Sequence, residues 1–182
     1  MRLKSGVGIL VLIMFSVAFS PIAEAKRVSG QFSGSGTFAN LDLDRDGIAS
    51  GGSNTSVGDG TFGPTHGWGV SELLPWDGTS FCSSTELRQY FSASATTTRI
   101  DSGDAYYTEF EDGSLCFNFR DNTFTFSGHD RVAGGTGIFE GATGRIATTG
   151  SGKVLSRDAE GRAALSAFRG VTRGEIIFRS SN

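Results

Sequence analysis

The sequence is poor in the residues that build metal and cofactor sites. Its 182 residues include only two histidines, two cysteines and three prolines. Two histidines are too few for a histidine-rich metal centre. No basic run occurs and the formal net charge is −3, which argues against nucleic acid or an anionic membrane surface as a partner. Helical periodicity is nearly absent too, so the pattern argues against a helical fold.

Long apolar runs are also missing, apart from one at the N-terminus. Val7 to Phe19 follows two basic residues and precedes Ala23-Glu24-Ala25. A membrane-spanning helix needs about 20 apolar residues, and this run is shorter. The pattern is typical of a secretory signal peptide with an A-x-A cleavage site. We therefore expect residues 1–25 to be removed, which leaves residues 26–182 as one soluble domain, secreted or periplasmic.

Glycine and phenylalanine are abundant, with 27 and 15 residues. They recur in period-two alternation, which indicates short strands, over residues 28–38, 87–95, 115–119 and 164–178. Asp112-Gly113 and Ser127-Gly128 read as turns between strands. About eight strands with small-residue faces predict an all-β fold, a single closed antiparallel barrel. A two-sheet sandwich is the alternative.

A glycine-rich segment in the C-terminal half carries a family resemblance. Residues 134–146 read GGTGIFEGATGRI, which resembles a signature of the allene oxide cyclase and dirigent β-barrels. The resemblance implies an eight-stranded barrel with an interior cavity, often trimeric, in which Phe139 plugs one end and Thr143–Leu155 and Ala163–Phe178 form a closing hairpin. It implies no catalytic residue, because residues 28–100 contain no matching motif, and a shared fold does not fix an activity.

The two cysteines, Cys82 and Cys116, both lie in the predicted mature chain. An exported protein meets an oxidising environment, and two cysteines leave only one pairing. We therefore expect a Cys82–Cys116 disulfide, with two buried thiols as the alternative.

One acidic run has the spacing of a calcium loop. Asp42, Asp44 and Asp46 alternate before Gly47, so three carboxylates can converge on one Ca²⁺. Asp59 is a further candidate ligand. The EF-hand loop would need a glutamate where Ser53 stands, so a solvated acidic turn is the alternative. We expect no required cofactor, with Ca²⁺ the candidate ion.

Candidate catalytic residues lie on one predicted strand. His66, Trp68 and Glu72 alternate on one face of residues 66–72. If that face points into the barrel, His66 and Glu72 form an acid–base pair beside an aromatic wall. The alternative is a solvated position at a barrel rim. His129-Asp130-Arg131 reads as a turn.

Aromatic side chains supply the candidate ligand contacts. Trp68, Tyr106 and Phe117 are expected to line a lumen, with ordinary core packing as the alternative. The sequence thus predicts a secreted barrel that holds a small apolar ligand, with a cyclase or isomerase activity as an extension. A non-catalytic structural or interaction protein, stabilised by calcium, is the other hypothesis. An open lumen would favour the first.

Overall fold

The computed structural model describes residues 25–41, 50–75, 78–159, 161 and 163–179. Nearly all of the predicted signal peptide and the run from Asp42 to Asp46 lie outside these residues. The described part of the chain contains no helix long and apolar enough to cross a membrane.

Nine antiparallel strands make up the described part of the domain. They are β1 (Ala25–Leu41), β2 (Gly51–Gly60), β3 (Thr65–Leu73), β4 (Phe81–Ser83), β5 (Glu86–Arg99), β6 (Ala105–Asn118), β7 (Thr123–Gly135), β8 (Thr143–Arg157) and β9 (Ala163–Arg179). Strand β1 pairs with β9, and β3 pairs with β5, so eight strands close into a barrel. The short β4 pairs with the other end of β5. The predicted all-β barrel is confirmed, and the sandwich alternative is wrong.

Glycines inside the barrel make room for phenylalanine rings on the neighbouring strand. Phe126 is the register partner of Gly150, and Phe124 that of Gly152. A Cβ atom on Gly150 would collide with the Phe126 ring. Large rings opposite glycines let a small barrel hold many phenylalanines without overpacking.

One end of the barrel is closed by a buried apolar cluster. Its centre is Phe139, which lies in a 3₁₀ turn after β7 and is 0% exposed. The Phe139 ring packs edge-on against Phe62, Tyr106 and Phe178, with ring centroids 5.0, 5.3 and 5.5 Å away. The expected plug is confirmed, as is the hairpin of β8 and β9 that follows it.

Strands β6 and β7 continue through both predicted turns. Gly113 is buried inside β6, where the pairing to β7 shifts register between Phe110 and Ser114. A Cβ atom on Gly113 would lie 2.7 Å from the Phe91 ring, so this glycine serves packing at a bulge rather than a chain reversal. Ser127 and Gly128 lie within β7 in regular register. Asp112-Gly113 and Ser127-Gly128 are therefore not turns.

A disulfide joins Cys82 of β4 to Cys116 of β6. Arg88 of β5 is the register partner of Cys116 and donates a 3.4 Å hydrogen bond to the Cys82 sulfur. The disulfide therefore crosses over β5 and holds the short β4 to the barrel. The expected pairing is confirmed.

Candidate functional site

The barrel encloses a cavity of about 670 Å³ whose wall is mainly apolar and rich in phenylalanine. Nine phenylalanines line it: Phe32, Phe38, Phe91, Phe110, Phe117, Phe119, Phe124, Phe126 and Phe168. Phe119, which is 60% exposed, and Gly161 belong to connections at the end opposite the Phe139 plug. The lumen is therefore closed at one end, open at the other and large enough for one small molecule.

A carboxyl group lies at the inner, plugged end of this cavity. Asp130 of β7 lines the cavity and is 1% exposed. Its Oδ2 accepts a 2.6 Å hydrogen bond from the Thr148 hydroxyl, which lies 3.1 Å from the Thr172 hydroxyl. Since Thr148 gives its only proton to Asp130, Thr172 donates to Thr148. Oδ1 has no hydrogen-bond partner among the described residues, which is an unusual state for a buried polar atom.

Burial controls the proton affinity of the polar groups at this end. Burial raises the pKa of Asp130 to about 7, although the Thr148 hydrogen bond acts in the opposite direction. Burial likewise raises the pKa of the Tyr106 phenol to about 12, against the effect of a hydrogen bond with Thr97. Tyr106 is thus a neutral phenol at pH 7, while Asp130 is divided between acid and carboxylate.

The cavity contains little other charge. Arg157 is the one further charged side chain among its described lining residues. It lies at the open end, where its guanidinium donates to the Asn122 side-chain oxygen and the Gly161 carbonyl. The inner end therefore offers one carboxyl group, lined by threonine hydroxyls and by the rings of Tyr106 and Phe110.

The proposed residues of β3 lie on the outside of the barrel. His66 and Glu72 are exposed, and Trp68 is 50% exposed, while Gly67 and Ser71 between them line the cavity. The alternation was predicted correctly, but the inward face is the small-residue face, since Gly67 and Ser71 are the residues that line the cavity. The acid–base pair of His66 and Glu72 and the aromatic wall of Trp68 therefore do not lie in the lumen.

Two of the proposed ligand contacts do line the cavity. Tyr106 lies at its inner end, and Phe117 lies nearer the opening. Ligand contact by these side chains remains a prediction.

The calcium hypothesis falls mostly outside the described residues. Asp42, Asp44 and Asp46 belong to the segment between β1 and β2 that the structure does not describe. Asp59 lies in β2, where its Oδ1 accepts a 2.8 Å hydrogen bond from the Gly60 amide. No group of three or more potential metal ligands occurs in the part of the chain that the structure describes. Calcium binding stays a prediction.

Asp130 was overlooked because the sequence around it reads as a turn. It lies within β7, whose inward face carries Phe124, Phe126 and then Asp130 at even spacing. That period-two pattern, followed through Gly128, was the signal that could have found it. The flanking His129 points outward, where its Nδ1 lies 2.8 Å from Asp112 Oδ2. Hydrogen bonds from His129 hold the pKa of Asp112 below its ordinary value.

Comparison with known proteins reaches the level of structure only. No family model matches the chain, and no curated protein matches its sequence. Among solved structures, it is similar to a pterocarpan synthase dirigent protein, with 13% sequence identity and a TM-score of 0.44 over 87% of this chain and 88% of that chain. A similarity of this degree assigns neither a ligand nor a reaction to the chain. Membership of the family named above stays a prediction.

Proposed function

We propose that the domain binds one small, largely apolar ligand in the barrel lumen. The supporting observation is the open, phenylalanine-lined cavity of about 670 Å³ with an unpartnered carboxylate oxygen at its inner end. Apolar walls supply affinity through burial, and a single polar group fixes the orientation of the ligand. A barrel whose interior is filled by its own side chains would have no cavity of this size.

Binding of Nile red, a neutral apolar dye that fluoresces in apolar surroundings, tests this proposal. Ala93 of β5 lines the lumen, whereas its neighbour Ser94 is exposed on the outside. Ala93→Trp should fill part of the lumen and weaken dye binding by about tenfold, which corresponds to about 1.4 kcal/mol. Ser94→Trp should leave binding unchanged. Equal effects of both variants, or no binding by the wild type, would overturn the proposal.

We also propose that this domain acts outside the cytoplasm. The signal-peptide pattern of residues 1–25 supports export, and the disulfide between Cys82 and Cys116 is compatible with an oxidising compartment. The mass of the protein isolated from its host should correspond to a chain that begins at Lys26. Native mass spectrometry of the same sample would also show a bound ligand and test the trimer that the family resemblance implies.

A cyclase or isomerase is the second candidate function. Asp130 favours it, because a carboxyl group with a pKa of about 7 both accepts and donates a proton at neutral pH. Catalysis would further require that the walls hold the substrate in a reactive shape. Once a lumen ligand has been identified by mass spectrometry, its conversion by the wild type and not by Asp130→Asn would support this function. Binding without conversion would leave a carrier.

A further inference from the structure

We propose that the lumen recognises an apolar amine, whose ammonium group pairs with Asp130 at the inner end of the barrel. This inference rests on the proposed function and adds the chemical class of the ligand. Its starting point is a buried carboxyl group that has no counter-ion within the described chain.

No protein cation pairs with Asp130 in the described part of the chain. Among the described residues, no lysine or arginine forms an ion pair with it. Arg131 follows it in β7 but lies outside, where it pairs with Glu109 and Glu111. Arg157 lies at the open end of the cavity. A buried carboxylate normally has a cationic partner, and Asp130 lines the cavity, so the lumen is the side from which a ligand cation would approach it.

The hydrogen bonds of the Asp130 carboxyl group involve only one of its two oxygens among the described residues. Thr148 occupies Oδ2, and Thr172 holds the Thr148 hydroxyl in that orientation. Oδ1 is left as an acceptor without a donor. An ammonium group supplies both the missing donor and the missing charge, whereas an alcohol supplies only the donor.

A phenylalanine ring of the lumen also lies on the strand beside Asp130. Phe110 is the register partner of Asp130 and also lines the cavity, and its ring lies 5.3 Å from that of Phe91. Aromatic faces attract organic cations, more strongly where water is excluded. A carboxylate together with aromatic rings therefore favours a cation with an apolar body over a neutral molecule of the same shape.

Two ligands with the same ring system separate these contributions. 1-Naphthylmethylamine and 1-naphthylmethanol differ only in the terminal group, and isothermal titration calorimetry measures both. At pH 8, where Asp130 is largely ionised, the amine should bind the wild type about tenfold more tightly than the alcohol. Asp130→Asn should reduce this preference to about twofold or less. Glu140→Gln, which removes an exposed carboxylate in the β7–β8 connection, should retain it.

A second readout uses the wild type alone. At pH 6 the unliganded Asp130 is mostly protonated, so pairing with the ammonium should release a proton, and binding of the alcohol should release none. Titrations in two buffers of different ionisation enthalpy measure that release. Three other groups act on or near this carboxyl: Tyr106 and Asp112 of β6, and His129 of β7. Asp130→Asn assigns the released proton, since it removes this carboxyl group and keeps those three side chains in place.

The outcomes distinguish this inference from the function it rests on. Equal affinity for amine and alcohol, or a preference that persists in Asp130→Asn, overturns the amine while lumen binding stands. If neither naphthyl compound binds, the amine is overturned, and the Nile red comparison of Ala93→Trp with Ser94→Trp decides separately whether the lumen binds ligands at all.

Discussion

Asp130 is a carboxyl group that folding removes from water without an ion-pair partner among the described residues. Its pKa rises from 3.8 to about 7 because burial disfavours the charged form. Between these values the native state keeps the proton that the unfolded state has lost, so the free energy of unfolding falls as pH rises. Above pH 7 both states are ionised and the loss is complete. At about 1.4 kcal/mol per pH unit, the total loss is about 4 kcal/mol.

Asp130→Asn should remove this pH dependence, because an amide keeps a hydrogen bond with Thr148 and carries no charge. The free energy of unfolding of the variant, relative to that of the wild type, should rise by up to about 4 kcal/mol between pH 4 and pH 7. Above pH 7 this difference should stay constant. Urea unfolding at pH 4.5 and pH 8 measures the difference. A stability difference that is the same at both pH values would mean that the carboxyl group is not neutral in the native state.

At the scale of the strand, two glycines of β8 leave the space that phenylalanine rings of β7 occupy. A Cβ atom on Gly150 would meet both the Phe126 ring and, at 2.5 Å, the Arg169 carbonyl oxygen of β9. Because the carbonyl belongs to the paired backbone, the strand cannot relax by moving one side chain. Gly150→Ala should therefore cost about 2 kcal/mol. Its exposed neighbour gives the control, since Thr149→Ala should cost far less in urea unfolding.

The disulfide acts on an element that has little other support. Strand β4 has three residues and two paired positions on β5. The bond to Cys116 spans 34 residues of sequence, so replacing both cysteines by serine should cost about 3–4 kcal/mol through the entropy of the unfolded chain. Dithiothreitol should lower the thermal midpoint of the wild type to near that of the double variant. It should leave the midpoint of the double variant unaffected. A reductant effect on both proteins would point to another cause.

The strands could largely be predicted from the sequence, and the inward face could not. Alternation located β3, but periodicity does not say which face is inside, and the face that carries His66 and Glu72 proved to be the outer one. In this barrel the small residues of β3 face the cavity, which reverses the usual rule that large side chains mark the interior. Asp130 was hidden for a related reason, because Gly128 reads as a turn residue unless its ring-packing role is known.

At the scale of the whole barrel, the two ends differ in packing. The plugged end contains the fully buried side chains, with Phe139 in contact with three other aromatic rings. Toward the opening, the phenylalanines are only partly buried, and Phe117 packs edge-on against the exposed Phe119 at 4.8 Å. Buried contacts stabilise a fold in proportion to the area removed from water. The cluster around Phe139 should therefore carry most of the stability, while the phenylalanine wall of the lumen supplies most of the affinity for an apolar ligand.

Two matched truncations test this division. Phe139→Ala leaves a cavity in the closed cluster and should cost about 4 kcal/mol of stability, with dye affinity nearly retained in the folded fraction. Phe117→Ala removes a partly exposed ring of the lumen wall, so it should cost less stability and weaken Nile red binding more. Urea unfolding and dye titration on the same samples separate the two effects. The reverse pattern, with binding lost through Phe139 and stability lost through Phe117, would contradict this division between the buried cluster and the lumen wall.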